Sequence, residues 1–188
     1  MSIREYEAEH DQEAVTRIWF EIGWLENEAE ARFLGDFIEA GRAFVADVEG
    51  GAECLALSMP GAMRFQSEEL RSSAMMAVTT SRIARKLGLA GRMTAHLLAA
   101  DAQAGFEIAA LGMFEQGFYN RLGFGTGPYE HLLKFDPATL LVERPFRVPK
   151  RRTLDDWEAV HAAMCGRLRG HGGCTIDPPR ALRSELGW

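Results

Sequence analysis

Apolar residues change their spacing several times along this chain, and each change of period marks an element. Ile3 to Tyr6 reads as a strand. From Asp11, a residue suited to an N-cap, Val15, Ile18, Trp19 and Ile22 recur on one helical face. Glu28 to Ala40 predicts a second helix with Phe33, Leu34, Phe37 and Ile38 inward and Gly41 as its C-cap. Two apolar runs, Phe44 to Val48 and Glu53 to Met59, then flank the glycine-rich joint Glu49-Gly50-Gly51-Ala52, as a hairpin requires. Ser73 to Thr79 predicts the next strand. From Leu89, helical spacing returns through Met93, Leu97 and Ala100 until Gly105 stops it. Phe106 to Leu111 predicts a strand, the stretch around Phe118 to Gly123 a short helix with a glycine stop, and Glu130 to Phe135 a last strand.

Two joints carry candidate chemistry. Between Val78 and Ala90 the chain passes from a strand through a turn containing Gly88 into a helix. That shape points free backbone N–H groups and the positive end of a helix dipole at one place, which suits a pyrophosphate. Gly88 allows close backbone approach, and small Ala90 and Gly91 leave the helix entrance open. The second joint, Ala109 to Gly125, runs strand, short helix, glycine and aromatic strand.

Taken together, the two segments resemble the GNAT superfamily, the Gcn5-related N-acetyltransferases. The family's acetyl-CoA signature is matched by Arg85, Gly88 and Ala90, and its later Phe-Tyr and Gly-Phe signature by Phe118, Tyr119, Gly123 and Phe124. The resemblance extends from about Ile3 to Phe135. It implies an α/β fold with a mixed, mostly antiparallel central sheet, a splayed strand pair and helices on both faces. It implies an enzyme that moves an acetyl group from acetyl-CoA directly to the primary amine of a small cationic acceptor, without a metal.

Site roles follow from the same resemblance, residue by residue. Tyr119 is implied as the acid that protonates the departing CoA thiolate, a role open to a phenol titrating near ~10; aromatic packing is the other reading of this residue. Ala77, Val78 and Thr79 are implied to offer backbone groups to the pantetheine. Arg85, Lys86, Leu87, Gly88, Leu89 and Ala90 are implied to enclose the pyrophosphate, and Phe114 and Glu115 to touch CoA from a later strand end. Trp19, Glu21 and Trp24, with Met76 opposite, fall where the family builds its acceptor pocket, although spacing alone also suits Trp19 to the core. Arg82 stands where many relatives carry proline. A catalytically idle acyl-CoA-binding or assembly module is the alternative function.

Residues 144–152 form a basic, proline-containing linker, so the expected domain covers 1–143 and a helical tail covers 153–188. In that tail, Thr153-Leu154-Asp155-Asp156 resembles a capping box, and Trp157, Val160, Met164 and Leu168 follow at helical spacing. The tail resembles the opening of a second GNAT domain, as in the tandem enhanced-intracellular-survival branch, here cut short. A homo-oligomer, or the remainder of a longer chain, is therefore the expected partner for its apolar face.

Composition narrows the class. With 188 residues and 47% apolar content the chain can bury one core of ordinary size. A formal charge of −6 opposes a general nucleic-acid binder and suits cationic small molecules. No apolar run long enough for a membrane span occurs, and the expected location is the cytoplasm. Cys54, Cys165 and Cys174 fit reduced thiols, Cys54 in the core; their spacing with His161 and His171 matches no common zinc site, so no metal is expected. His10, His96 and His131 are expected on the surface or as caps.

Overall fold

The computed structural model describes residues 1–113, 117–127, 132–141 and 148–188. Five strands follow one another across a sheet in chain order: β1 (Ser2–Glu5), β2 (Arg42–Val48), β3 (Gly51–Phe65), β4 (Glu68–Thr80) and β5 (Ile108–Ala110). All pairs are antiparallel except β4 with β5, which is parallel. The hairpin between β2 and β3 turns on Glu49 and Gly50, both at positive φ, a two-residue geometry whose twist matches that of the strands. This is the mixed, mostly antiparallel α/β fold that the family resemblance implies.

Side-chain alternation along the strands builds two cores. Val45, Leu55, Leu57 and Met59 face a layer made of α1 (Ala8–Ile22), α2 (Glu28–Ala31) and α3 (Leu34–Glu39), where Val15, Ile18, Leu34 and Ile38 are fully buried. Phe44, Ala46, Cys54 and Ala56 face the opposite layer, α4 (Leu89–Gln103), with Met93 and Leu97 beneath it. Buried Asp101 ties α4 to the sheet by accepting from Arg42 at 2.7 Å and from the Ser73 hydroxyl. Cys54 lies in the core as expected, its thiol pushed up to about 11 by burial.

Several boundaries differ from the expected ones. Helix α1 starts at Ala8, with Glu7 in the N-cap position, so Asp11 lies one turn inside it. Its buried carboxylate still accepts the Glu7 N–H at 2.8 Å and is gripped by both terminal nitrogens of Arg4 at 2.7 Å. The single helix expected over Glu28 to Ala40 is two. The Arg32 guanidinium donates to the Ala29 carbonyl, the acceptor that the Phe33 N–H would use in a continuous helix, and Phe33 donates instead to Glu30. Gly41 is not the C-cap of α3, which is Ala40; a Cβ at Gly41 would lie 2.2 Å from the Ser58 carbonyl oxygen, so glycine there lets β2 lie against β3. Strands β3 and β4 are longer than their apolar cores because their hairpin continues through polar residues to Phe65 and Glu68. Of the last expected strand, residues 132–135 form none, and Glu130 and His131 lie outside the described residues. His10 and His96 are exposed, as expected, His10 beside Glu7 at 3.0 Å and His96 beside the Phe44 ring at 4.6 Å.

The tail folds back on the sheet. The capping box at Thr153 and Asp156 forms, and α5 (Trp157–Cys165) follows it. After it comes a strand, β6 (Cys174–Ile176), which pairs antiparallel with β3 at Gly61 to Met63, beyond the end of β2. Pro60, which has no N–H to give a ladder, falls at the junction between these two partners. Helix α6 (Pro179–Gly187) then packs on α3, with Arg183 bonded to Asp36 at 2.6 Å. Leu168, expected on the buried face of a longer helix, is fully exposed because α5 ends at Cys165. No helix among the described residues is long and apolar enough to cross a membrane.

Candidate active site

Strand β4 is bent where the site forms. Leu55 pairs with Thr79 and Leu57 with Met76, so Ala77 and Val78 together oppose the single residue Ala56. This is a β-bulge, and Ala77 takes φ 50°, a conformation uncommon for any side chain other than glycine. The bulge places Met76 and Ala77 toward the α1 layer and Val78 toward α4. Strand β5 leaves β4 at the same level: the parallel pairing covers only Ser72 to Ala74, while β4 continues to Thr80. The two strands splay, and backbone groups of β4 beyond Ala74 face an opening on that side.

The opening is a cavity of about 580 Å³. Met75, Met76, Ala77 and Val78 of β4, Leu111 to Met113 after β5, and Tyr119 line one part of it; Trp19, Trp24, Phe37, Glu185 and Trp188 line the other. Tyr119 opens a 3-10 turn, Tyr119–Leu122, closed by Gly123 at φ 94°, and packs edge-on against Phe118 and Phe124. Burial pushes its phenol above the ordinary tyrosine value, so it is a proton donor at neutral pH. Trp19 is 3% exposed and is both core and cavity wall; its indole N–H has no acceptor among the described residues.

Beyond Thr80 the chain turns through exposed Arg82, Ile83, Arg85 and Lys86, the last at φ 69°, and enters α4 at Leu89. Gly88 is the N-cap at φ 73°, and a Cβ there would meet no atom within 4 Å. Its glycine is therefore set by backbone conformation and open space, not by a neighbouring protein group. The N–H groups of Gly88, Leu89, Ala90 and Gly91 donate to no acceptor among the described residues, and no acid occupies the first turn of α4. The result is an open helix N-terminus with unpaired donors, a geometry that suits an anion, and Arg85 and Lys86 stand beside it.

Of the residues expected at the acceptor side, Trp19, Trp24 and Met76 line the cavity and Glu21 does not. Glu21 is held elsewhere: its carboxylate accepts the Arg82 backbone N–H at 2.9 Å and Arg17 at 2.7 Å, while its carbonyl accepts the Arg82 side chain. Those bonds hold it below the ordinary carboxylate range and tie the end of α1 to the start of the loop that enters α4. A proline at position 82 could not donate that N–H, so the arginine brings its own anchor. Phe114 and Glu115 lie outside the described residues.

Glu185 and Trp188, not foreseen as site residues, come from α6. The available signal was local: Pro178-Pro179 can start a helix, and Ala181, Leu182 and Ser184 share its buried side. The long separation from Trp19 hid the contact. In space Trp188 lies 4.9 Å from the Phe37 ring and 5.6 Å from that of Trp19, and donates its N–H to the Glu30 carbonyl at 3.1 Å. Among the described residues no cluster of three or more His, Cys, Asp or Glu is grouped to hold a metal ion.

Comparison with known proteins agrees with this architecture. Residues 3–127 match the model of an acetyltransferase (GNAT) domain. No curated protein sequence matches at a significant level. Among solved structures, Eis1 from Mycobacterium abscessus superimposes with a TM-score of 0.69 at 20% identity, over 98% of this chain and 47% of that one. A conserved protein from Enterococcus faecalis V583 gives 0.57 at 12% identity, over 65% of this chain and 31% of its own. Glucosamine-6-phosphate N-acetyltransferase from Arabidopsis thaliana gives 0.54 at 15% identity, over 72% of this chain and 98% of that one. The chain thus spans less than half the length of the first two, and at these identities the likeness is one of fold. With the family model covering strands β2 to β5, the bulge, the turn into α4 and Tyr119, this chain belongs to the GNAT family of N-acetyltransferases.

Proposed function

We propose that this protein transfers an acetyl group from acetyl-CoA to the primary amine of a small cationic acceptor. The observation that carries this reading is the convergence, beside the splayed edge of β4, of the Ala77 bulge, the unfilled N–H cradle of α4 and the Tyr119 phenol. The pyrophosphate of the donor fits the cradle from Gly88 to Gly91, with Arg85 and Lys86 adding positive charge. The pantetheine arm runs along the free edge at Ala77 to Thr79, completing in part the ladder that β5 abandons.

The acceptor ammonium must first give a proton to water, since only the neutral amine can attack the thioester carbonyl. As its nitrogen bonds to that carbon, charge develops on the oxygen, and backbone N–H groups at the bulge are placed to receive it. Collapse breaks the carbon–sulfur bond, the Tyr119 hydroxyl gives its proton to the leaving thiolate, and the proton shed by the new amide nitrogen, passed through water, restores the phenol. Burial, which keeps the phenol protonated, suits it to that task.

Calorimetry with acetyl-CoA, followed by thiol release over an amine panel, tests the reading. Binding and turnover are expected, and Tyr119→Phe should lower kcat by about 10²-fold or more while leaving acetyl-CoA affinity unchanged. Binding without turnover on any amine would favour an idle acyl-CoA module, and no binding would remove the cofactor assignment altogether.

A further inference from the structure

One acid lines the cavity among the described residues: Glu185, on the last turn of α6. The buried carboxylates are each matched by a cation, Asp11 by Arg4, Asp101 by Arg42 and Glu53 by Arg17, whereas Glu185 stands exposed at the cavity rim. No hydrogen bond or ion pair engages Glu185 among the described residues. Neighbouring apolar groups desolvate it in part and raise its carboxyl above the ordinary value, while the residue stays exposed to an incoming ligand. An unpaired carboxylate beside a cavity therefore gains by taking up a cation.

The neighbouring walls define the rest of that cation. Trp24 and Trp188, each about two-fifths exposed, supply aromatic surface, Trp19 and Phe37 back them from the core, and Met76 adds an adaptable apolar wall. Aromatic faces attract an ammonium and also stack on a flat apolar body. Such walls offer little to hydroxyl groups or to a second and third charge, which would be left unpaired on entry.

Building on the N-acetyltransferase reading, we infer that Glu185 binds the ammonium of the acceptor and that this acceptor is an arylalkylamine, a primary ammonium carried on a flat apolar group. The specificity carboxylate then comes from the tail helix, held against the domain by Arg183–Asp36 and by the Trp188 ring contacts, and not from the α1 region where Glu21 stands. Glu185 acts as a positioning residue: it sets where the amine waits in relation to the thioester, and it leaves donor binding to β4 and α4.

The test compares wild type with Glu185→Gln, an isosteric change on an exposed helix position, using three acceptors: an arylalkylamine, an arylamine that is neutral at pH 7, and a polycationic aminosugar. For the arylalkylamine, the variant should show a KM raised about tenfold or more with a smaller change in kcat, since a hydrogen bond to a charged group is lost. Its turnover of the arylamine, its acetyl-CoA affinity and its melting temperature should match wild type. An unchanged KM for the arylalkylamine in the variant, or a wild-type preference for the aminosugar, would overturn the inference while leaving the N-acetyltransferase reading standing. Absence of acetyl-CoA binding in wild type would overturn both.

Discussion

Asp11 shows how much a single carboxylate can organise. It is buried, and burial pushes its carboxyl up; the Arg4 bonds, the Glu7 N–H and nearby positive charge outweigh that and hold it below the ordinary aspartate value. A group depressed in the folded state contributes stability above its unfolded value and loses that contribution as pH falls through its folded one. Asp11→Asn should therefore destabilise the protein by about 1–3 kcal/mol near neutrality, and the deficit should shrink as the medium is acidified below the ordinary aspartate range. Denaturant midpoints for both proteins over an acid series read this directly. At Tyr119 the local sequence was informative because an aromatic pair, a short helix and a glycine stop are neighbours in the chain. Glu21 misled for the converse reason: a carboxylate near an aromatic helix suggests a cation pocket, but where it points depends on Arg82, sixty-one positions away.

At the level of elements, β6 is the instructive addition. Three residues with no long apolar run gave no strand signal, because β6 is defined by the free edge of β3 and not by its own pattern. Its attachment depends on Gly61, where a Cβ would lie 2.0 Å from the backbone oxygen of Thr175. Gly61→Ala is expected to push β6 off the sheet and to cost about 1–3 kcal/mol in overpacking strain, seen as a lowered melting temperature and faster amide exchange at Asp177, whose N–H donates to the Pro60 carbonyl. Strands β2 and β4 should keep their protection, since their ladders do not use that edge, while the Arg64 N–H of β3, which donates to Gly173, should lose it. The division of the expected helix into α2 and α3 has a similar origin: apolar spacing ran unbroken, and a competing side-chain bond at Ala29 ended the first segment.

For the molecule as a whole, the tail and the domain meet in the cavity. Trp188 covers Phe37 and Trp19 while remaining 40% exposed, so its ring works as a lid edge more than as core. Trp188→Ala should lower stability modestly, by about 1–2 kcal/mol given its partial burial, and raise KM for an aromatic amine. Acetyl-CoA affinity, measured by calorimetry, should not change, because the cradle and the bulge lie on β4 and α4. A parallel loss of donor binding would show that the two halves of the cavity are coupled.

The residues alone determined what repeats locally. A period of two or of three to four specifies strand or helix wherever one face must be buried, and the strand-turn-helix passage through Gly88 follows from backbone freedom and helix-end donors. Those patterns were enough for most of the strands and helices and for the turn into α4; the sheet arrangement and the role of Tyr119 came from the family resemblance. Tertiary structure decided what no local period encodes. The bulge at Ala77 exists because β4 must keep register with β3 while leaving β5, and Glu21 is drawn away because Arg82 offers it two donors. Glu185 and Trp188 join the site only because α6 finds the open face of α3. Contacts between distant segments depend on the geometry of the whole chain, and one sequence window does not contain it.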